Sequence, residues 1–280
     1  MTASIWNCPT CRAAVVTPFC PTCGERPFER HELTLRGLAT QIFHALTSVD
    51  GRLLRTFVRL VSRPGDLTVA YLDGRRRPYI GPVPLYFMAN VLFFAAESLF
   101  GGHMFSTSLE YHLNLQPWSP LAQTLVARHL GSAGTTLEVY APVFDQALSL
   151  HARSLIILMA LVFAVFPWLV FYRRHKPFAA HAVFSLHLYS FLLLLVCAAD
   201  LIPMSNVRFS EDGAWWRVTD NAIAVALLLA CGVYTYVASR KVYAAHGVAR
   251  TVQVVVLTTG VGAVVLGYRF GLFVLTLYTT

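Results

Sequence analysis

Five stretches of the chain stay apolar for about the 20 residues that a membrane-crossing helix needs, near 82–101, 154–172, 182–202, 221–238 and 251–268. They predict an all-α polytopic membrane protein of about five transmembrane helices. Pro167 falls inside the second stretch and predicts a kink there. Between the first two stretches lies a long loop, 102–153, with a turn at Pro117-Trp118-Ser119-Pro120. The loop also holds two helical patches, Leu121–Leu130 and Val143–Leu150, the second placed to extend the following span.

Upstream of residue 82 the pattern is amphipathic. Leu35, Leu38, Ile42, Phe43 and Leu46 recur at helical spacing, and Asp50 is placed to cap a second helix. In that helix Arg52, Arg55, Arg59 and Arg63 share one face, opposite Leu53, Leu54, Phe57, Leu60 and Val61, and Pro64-Gly65 ends it. Arg75, Arg76 and Arg77 then precede a turn rich in proline and glycine, after which the apolar part begins. Two readings of the amphipathic pair compete. One is a basic surface lying on anionic lipid headgroups, which the nearby span favours; the other is a hairpin packed on the N-terminal unit. The chain thus divides into residues 1–27, 28–80 and 81–280.

Composition agrees with the pattern. Hydrophobic residues make up 56% and charged residues 13%, against roughly 25% charged in soluble domains. There are 22 Lys+Arg against 14 Asp+Glu, and their distribution carries the information. Arg173, Arg174 and Lys176 lie between spans two and three, and Arg240, Lys241 and Arg250 between spans four and five, with no acid in either loop. The loops 102–153 and 203–220 hold Arg128, Arg153, Arg208 and Arg217 against six acids. The positive-inside rule then selects a cytosolic N-terminus and an external C-terminus. Trp215-Trp216 fits an interfacial aromatic anchor. No cleaved signal peptide is expected, because the first residues have neither a basic nor an apolar region. A nucleic-acid role for the arginines is disfavoured, since no aromatic residues interleave with them.

Four cysteines fall within residues 8–23, as Cys8-Pro9-Thr10-Cys11 and Cys20-Pro21-Thr22-Cys23. Two such knuckles supply four thiolates for a closed tetrahedral site, which predicts a small zinc ribbon with structural Zn2+ on Cys8, Cys11, Cys20 and Cys23. An iron site, a redox pair and disulfides are the rivals; a reducing cytosol disfavours disulfides. Cys197 and Cys231 lie in apolar stretches as ordinary small buried residues.

Ionisable residues within the spans are the remaining pointers. Glu97, Asp200 and Arg269 fall toward the outer ends of spans one, three and five, and predict a polar cluster in which Arg269 pairs Glu97 or Asp200. His187, in the middle of span three, is grouped with them as an intramembrane polar residue, and hydrogen bonding within the bundle is its expected role. His181 and His187 are six residues apart and so do not share a helix face, making a poor metal pair. No catalytic triad, metalloprotease motif or phosphate loop is present, so an enzymatic reading has no positive support.

Several motifs together resemble a known family. They are the double knuckle, Val49-Asp50-Gly51-Arg52-Leu53-Leu54-Arg55-Thr56, Arg63-Pro64-Gly65 and Tyr71-Leu72-x-Gly74-x-Arg76. Pro84-Leu85-Tyr86 and His181-x-Val183-Phe184-Ser185-Leu186-His187 with Phe191 complete the set. The chain is similar over residues 8–100 and 150–195 to an uncharacterised bacterial family of inner-membrane proteins with a zinc-ribbon head, a domain of unknown function. Arg12 stands where that family would usually have glycine, which touches the turn but not the ligands. The resemblance implies a bacterial inner-membrane location and a zinc-ribbon head, and no activity. The expected function is a membrane-anchored interaction or scaffold protein, held in the lipid bilayer, whose ribbon recruits a cytosolic or membrane protein partner. The alternative is a small transporter or lipid-handling protein using the outer polar cluster.

Overall fold

The structure is a computed structural model that describes residues 5–25, 51–100, 107–201 and 213–280. The first predicted amphipathic helix and its neighbour Asp50 lie outside the described residues. A two-stranded antiparallel ribbon pairs β1 (Trp6–Asn7) with β2 (Ala14–Val15), Trp6 opposite Val15. The helices that follow are α1 (Arg52–Ser62), α2 (Asp66–Leu72), α3 (Pro82–Phe100), α4 (Leu109–Asn114) and α5 (Ser119–Ala133). The bundle is completed by α6 (Leu137–Phe163), α7 (Val165–Val170), α8 (Phe178–Leu201), α9 (Gly213–Tyr243) and α10 (Gly247–Thr279).

Four of these helices are long and apolar enough to cross a membrane, over Pro82–Leu99, Phe178–Ala199, Ala222–Tyr243 and Gly247–Thr279. The second predicted span, 154–172, differs. Its apolar part, Leu158–Val170, is divided where α6 ends and α7 begins, at Ala164. Pro167 is the physical cause: it has no N–H to give, and its ring crowds the carbonyl four residues back. Upstream, α6 is continuous from Leu137, so the patch at Val143–Leu150 does extend that helix beyond its apolar part.

The helices alternate in direction. Tyr140 Oη lies 2.7 Å from Thr280 Oγ1, and Tyr268 Oη donates to the Ala152 carbonyl, so α6 and α10 run antiparallel. Further down, Gly260 lets α10 close on α7, since a Cβ there would sit 2.7 Å from the Phe166 ring. α3 packs most extensively on α8. The main core runs through Leu85, Phe93, Phe163, Phe184 and Leu257. A second core, of Leu109, Val126, Phe144, Phe273 and Leu277, joins α4, α5 and the first half of α6 to the end of α10. At 33 residues α10 is about 50 Å long, more than a hydrocarbon core of about 30 Å, so it contributes to both cores.

The basic segments gather at one end. Arg174 donates to the Ala244 carbonyl, which ties the α7–α8 connection to the α9–α10 turn. The α1–α2 hairpin docks beside them through Asp66, whose carboxylate meets Arg59 at 2.9 Å and Lys241 at 2.6 Å. α2, a helix the sequence pattern did not single out, packs on α8 and α9. The turn before it is tight: Gly65 has φ +83, and a Cβ there would lie 2.9 Å from the Cα of Ala238. Gly65→Ala is therefore expected to destabilise the fold by roughly 1–3 kcal/mol through backbone strain alone, with the collision adding to it. Gly131→Ala, in the open interior of α5, should instead gain roughly 0.5–1 kcal/mol. Thermal unfolding of both variants in detergent checks this; equal melting temperatures would contradict the docking of the turn on α9.

Candidate metal centre and its seat on the bundle

Each cysteine knuckle is built by the same backbone turn. Cys8 N donates to Ala13 O and Arg12 N to Cys8 O; Cys20 N donates to Glu25 O and Gly24 N to Cys20 O. The turn needs a left-handed residue at its fifth position. Gly24 supplies it with φ +69 at no steric penalty, whereas Arg12 is forced to φ 62. The departure at Arg12 noted in the sequence thus falls on the position that requires glycine.

The four sulfurs converge. Cys8 and Cys23 Sγ lie 3.3 Å apart, as do Cys11 and Cys20, and Cys23 lies 3.8 Å from Cys11. All four are free thiols within 4.8 Å of one another. Metal–sulfur bonds of ~2.3 Å give tetrahedral edges of ~3.8 Å, so the donor set fits one metal ion. Charge points the same way. Burial works against a thiolate at Cys20, yet hydrogen bonds from the Cys23 amide, the Cys11 thiol and the Thr22 amide bring it down to about 6. At Cys23 the Glu25 amide favours the thiolate, but burial and the sulfurs of Cys8, Cys20 and Cys11 push it up to about 12. Crowded sulfurs resist ionising together, and a bound cation removes that resistance.

The head is seated on the bundle by Glu25, which sequence reasoning did not single out. Its carboxylate is buried and accepts from Thr10 Oγ1 at 2.7 Å, Arg77 N at 3.1 Å and Arg76 N at 3.3 Å. Gly24 leaves room for the Arg77 guanidinium, which a Cβ would approach to 3.0 Å. Among the other predicted basic residues, Arg59 pairs with Asp66, Arg52 is half-buried, and Arg55 and Arg63 are exposed. Arg75 bonds Asp73 at 3.1 Å, and Arg76 lies over the Tyr71 ring.

The predicted intramembrane polar residues do not form one group. Glu97 and Arg269 are half-buried in the far halves of α3 and α10, and neither lacks a partner. Asp200 falls in the last turn of α8, with its side chain outside the described residues. His187 does not join them. It is buried in the basic half of α8, with Nδ1 2.9 Å from Thr68 Oγ1 of α2, so it bonds within the bundle as expected but to a different element. His181 Nδ1 bonds Tyr243 Oη at 3.0 Å, and Tyr243 stacks on Phe171. Arg269 instead neighbours His112 of α4, a buried residue the sequence did not mark. Trp118 Nε1 donates to His112 Nδ1, which fixes a neutral ring with its Nε2 proton toward Thr107.

A family model described as a protein of unknown function (DUF3667) matches residues 50–94. No curated protein and no solved structure matches the chain. The matched stretch is α1, α2, the arginine turn and most of α3. It therefore contains the Gly65 turn, Asp66, Thr68 and both amides that receive Glu25.

Metal binding should be lost in Cys20→Ser. In Arg12→Gly it should tighten about fivefold, from relief of ~1 kcal/mol of left-handed strain. Chelator competition on the purified chain measures both, and an unchanged Arg12→Gly affinity would deny the strain. Burial, with a smaller contribution from Arg269, lowers His112 to about 4, while an unfolded histidine titrates near ~6.5. The unfolded chain therefore takes up a proton first as pH falls, and up to about 3 kcal/mol of stability drains away between these values. Melting temperatures from pH 7 to 4 should fall less in His112→Gln than in the wild type.

Proposed function

We propose that the chain is a membrane-anchored docking protein, with the helical bundle as its anchor and the metal head as its recruiting module. The carrying observation is on the head. Ile5, Val16 and Phe19 are 74%, 60% and 57% exposed, although each is a large apolar side chain. They belong neither to the sulfur shell nor to the Glu25 seat. The loop that bears Val16 and Phe19 is held in shape: Trp6 Nε1 donates to Thr17 O at 2.9 Å, and Thr17 Oγ1 to Phe19 O at 2.6 Å. A pre-shaped apolar tip costs little ordering when a partner binds.

Zinc is the ion this reading assigns, from an all-thiolate closed set. The basic end is taken as cytosolic, with the N-terminus inside and the C-terminus outside, in a bacterial inner membrane. α6 and α7 together act as a fifth, broken span beside the four longer helices. Support comes from the bundle's outside, where Leu99, Leu158, Leu229 and Val255 are exposed, as lipid-facing residues are. On α1 the stripe Leu54, Val58 and Val61 is exposed beside Arg55, which suits an interfacial helix with its arginines among headgroups.

Mild crosslinking and affinity purification from native membranes test the recruitment. A partner recovered with wild type should be lost with Val16→Ser/Phe19→Ser, which keeps its metal, and with Cys20→Ser/Cys23→Ser, which does not. The same partners recovered with Val16→Ser/Phe19→Ser would sink the docking role of the tip.

A further inference from the structure

A small recess opens at the basic end beside the arginine turn. Arg75, Arg76, Tyr71, Tyr79, Gly81 and His187 line it, over an apolar floor. Its enclosed part has room for about one water-sized atom. The lining is rich in donors, and no carboxylate is among the described residues that form it. The nearby acids already have partners, one of them an arginine of the recess itself. Asp73 accepts from Arg75, Glu25 takes the backbone amides of Arg76 and Arg77, and Asp66 holds Arg59 and Lys241. Thr68 occupies Nδ1 of His187, so Nε2 is the ring's remaining polar atom. Gly81 immediately precedes α3, which brings the positive end of a 19-residue helix dipole to the edge of the recess.

Two guanidinium groups, a helix start and a buried imidazole around a space without protein carboxylates favour an anion. Guanidinium forks match phosphate oxygens in particular. The size of the space suits a single oxygen, not a whole group. We propose that this recess is a phosphate-binding site, with one phosphate oxygen seated toward His187 and the others held at the mouth by Arg75 and Arg76. The phosphate belongs either to a phospholipid headgroup or to a soluble phosphate. The proposal does not depend on partner recruitment by the head. It does depend on the head's seat, because Glu25 fixes the backbone of Arg76 and Arg77.

The test uses the full chain, purified in detergent and stripped of lipid. It is titrated by calorimetry with dihexanoyl phosphatidylglycerol, with inorganic phosphate, and with dihexanoylglycerol, which lacks the phosphate. The phosphate-bearing ligands should bind at least tenfold more weakly to Arg75→Gln/Arg76→Gln than to wild type. Arg75→Gln alone, a change at the rim, should weaken them severalfold with its melting temperature unchanged. Binding of the phospholipid without competition from inorganic phosphate identifies a headgroup site. Equal competition by inorganic phosphate identifies a soluble phosphate, and both results support the proposal. Dihexanoylglycerol binding as tightly as the phospholipid, or a folded Arg75→Gln binding phosphate ligands like wild type, would overturn it.

Discussion

The carboxylate of Asp66 is the contact on which the order of the basic end depends. It joins Arg59 of α1 to Lys241 of α9, directly after a glycine turn that no side chain could fill. Its partners are about a third exposed, so solvent screening keeps its share of stability small. Its importance lies in register. With Asp66 placed, Thr68 meets His187 and Thr56 receives the Ile80 amide, so the chain enters α3 from a fixed position. The amides of Arg76 and Arg77 are then presented to Glu25, and the metal head has a seat. A short series of polar contacts thus connects a bundle helix to a thiolate cluster far from it in sequence.

The bundle has two chemically different ends. At one, arginines and lysines gather around the hairpin, the α7–α8 connection and the α9–α10 turn. At the other, α4 and α5 close over the end of α10 in an aromatic core with a buried neutral histidine. Between them some buried hydroxyls bond their own helices, as Ser185 does on His181 O and Ser190 on Leu186 O, and others reach across, as Tyr86 does to Ile156 O. Large apolar side chains are left on the outside. That arrangement would suit a chain whose surroundings are as apolar as its core, where internal polar pairs and close approaches such as Gly260 on Phe166 would hold helices together. It supports the proposed role of the bundle as an anchor, and it leaves the basic end and the metal head as the surfaces with chemistry to offer.

The sequence by itself determined what is local. Apolar run lengths marked five stretches, of which four are helices long enough to cross a membrane; Pro167 marked the break in the remaining one, between α6 and α7, and Pro64-Gly65 marked the end of α1. Cysteine spacing brought the four thiols together, because two short turns close a thiolate cluster without help from the rest of the chain. That glycine would be usual at Arg12 was implied by the family resemblance, and the structure supplied the reason, a left-handed φ of 62. Only the tertiary structure decided which faces meet. His187 bonds Thr68 across 119 residues, Lys241 reaches Asp66 across 175, and Glu25 finds amides more than 50 residues away. It also removed His187 from the group it was placed in with Glu97 and Arg269, and put His112 beside Arg269 instead. Periodicity tells which side of a helix is buried, but not against which partner. That choice is made by close approach and by polar groups needing mates, and neither is written in any one stretch of the chain.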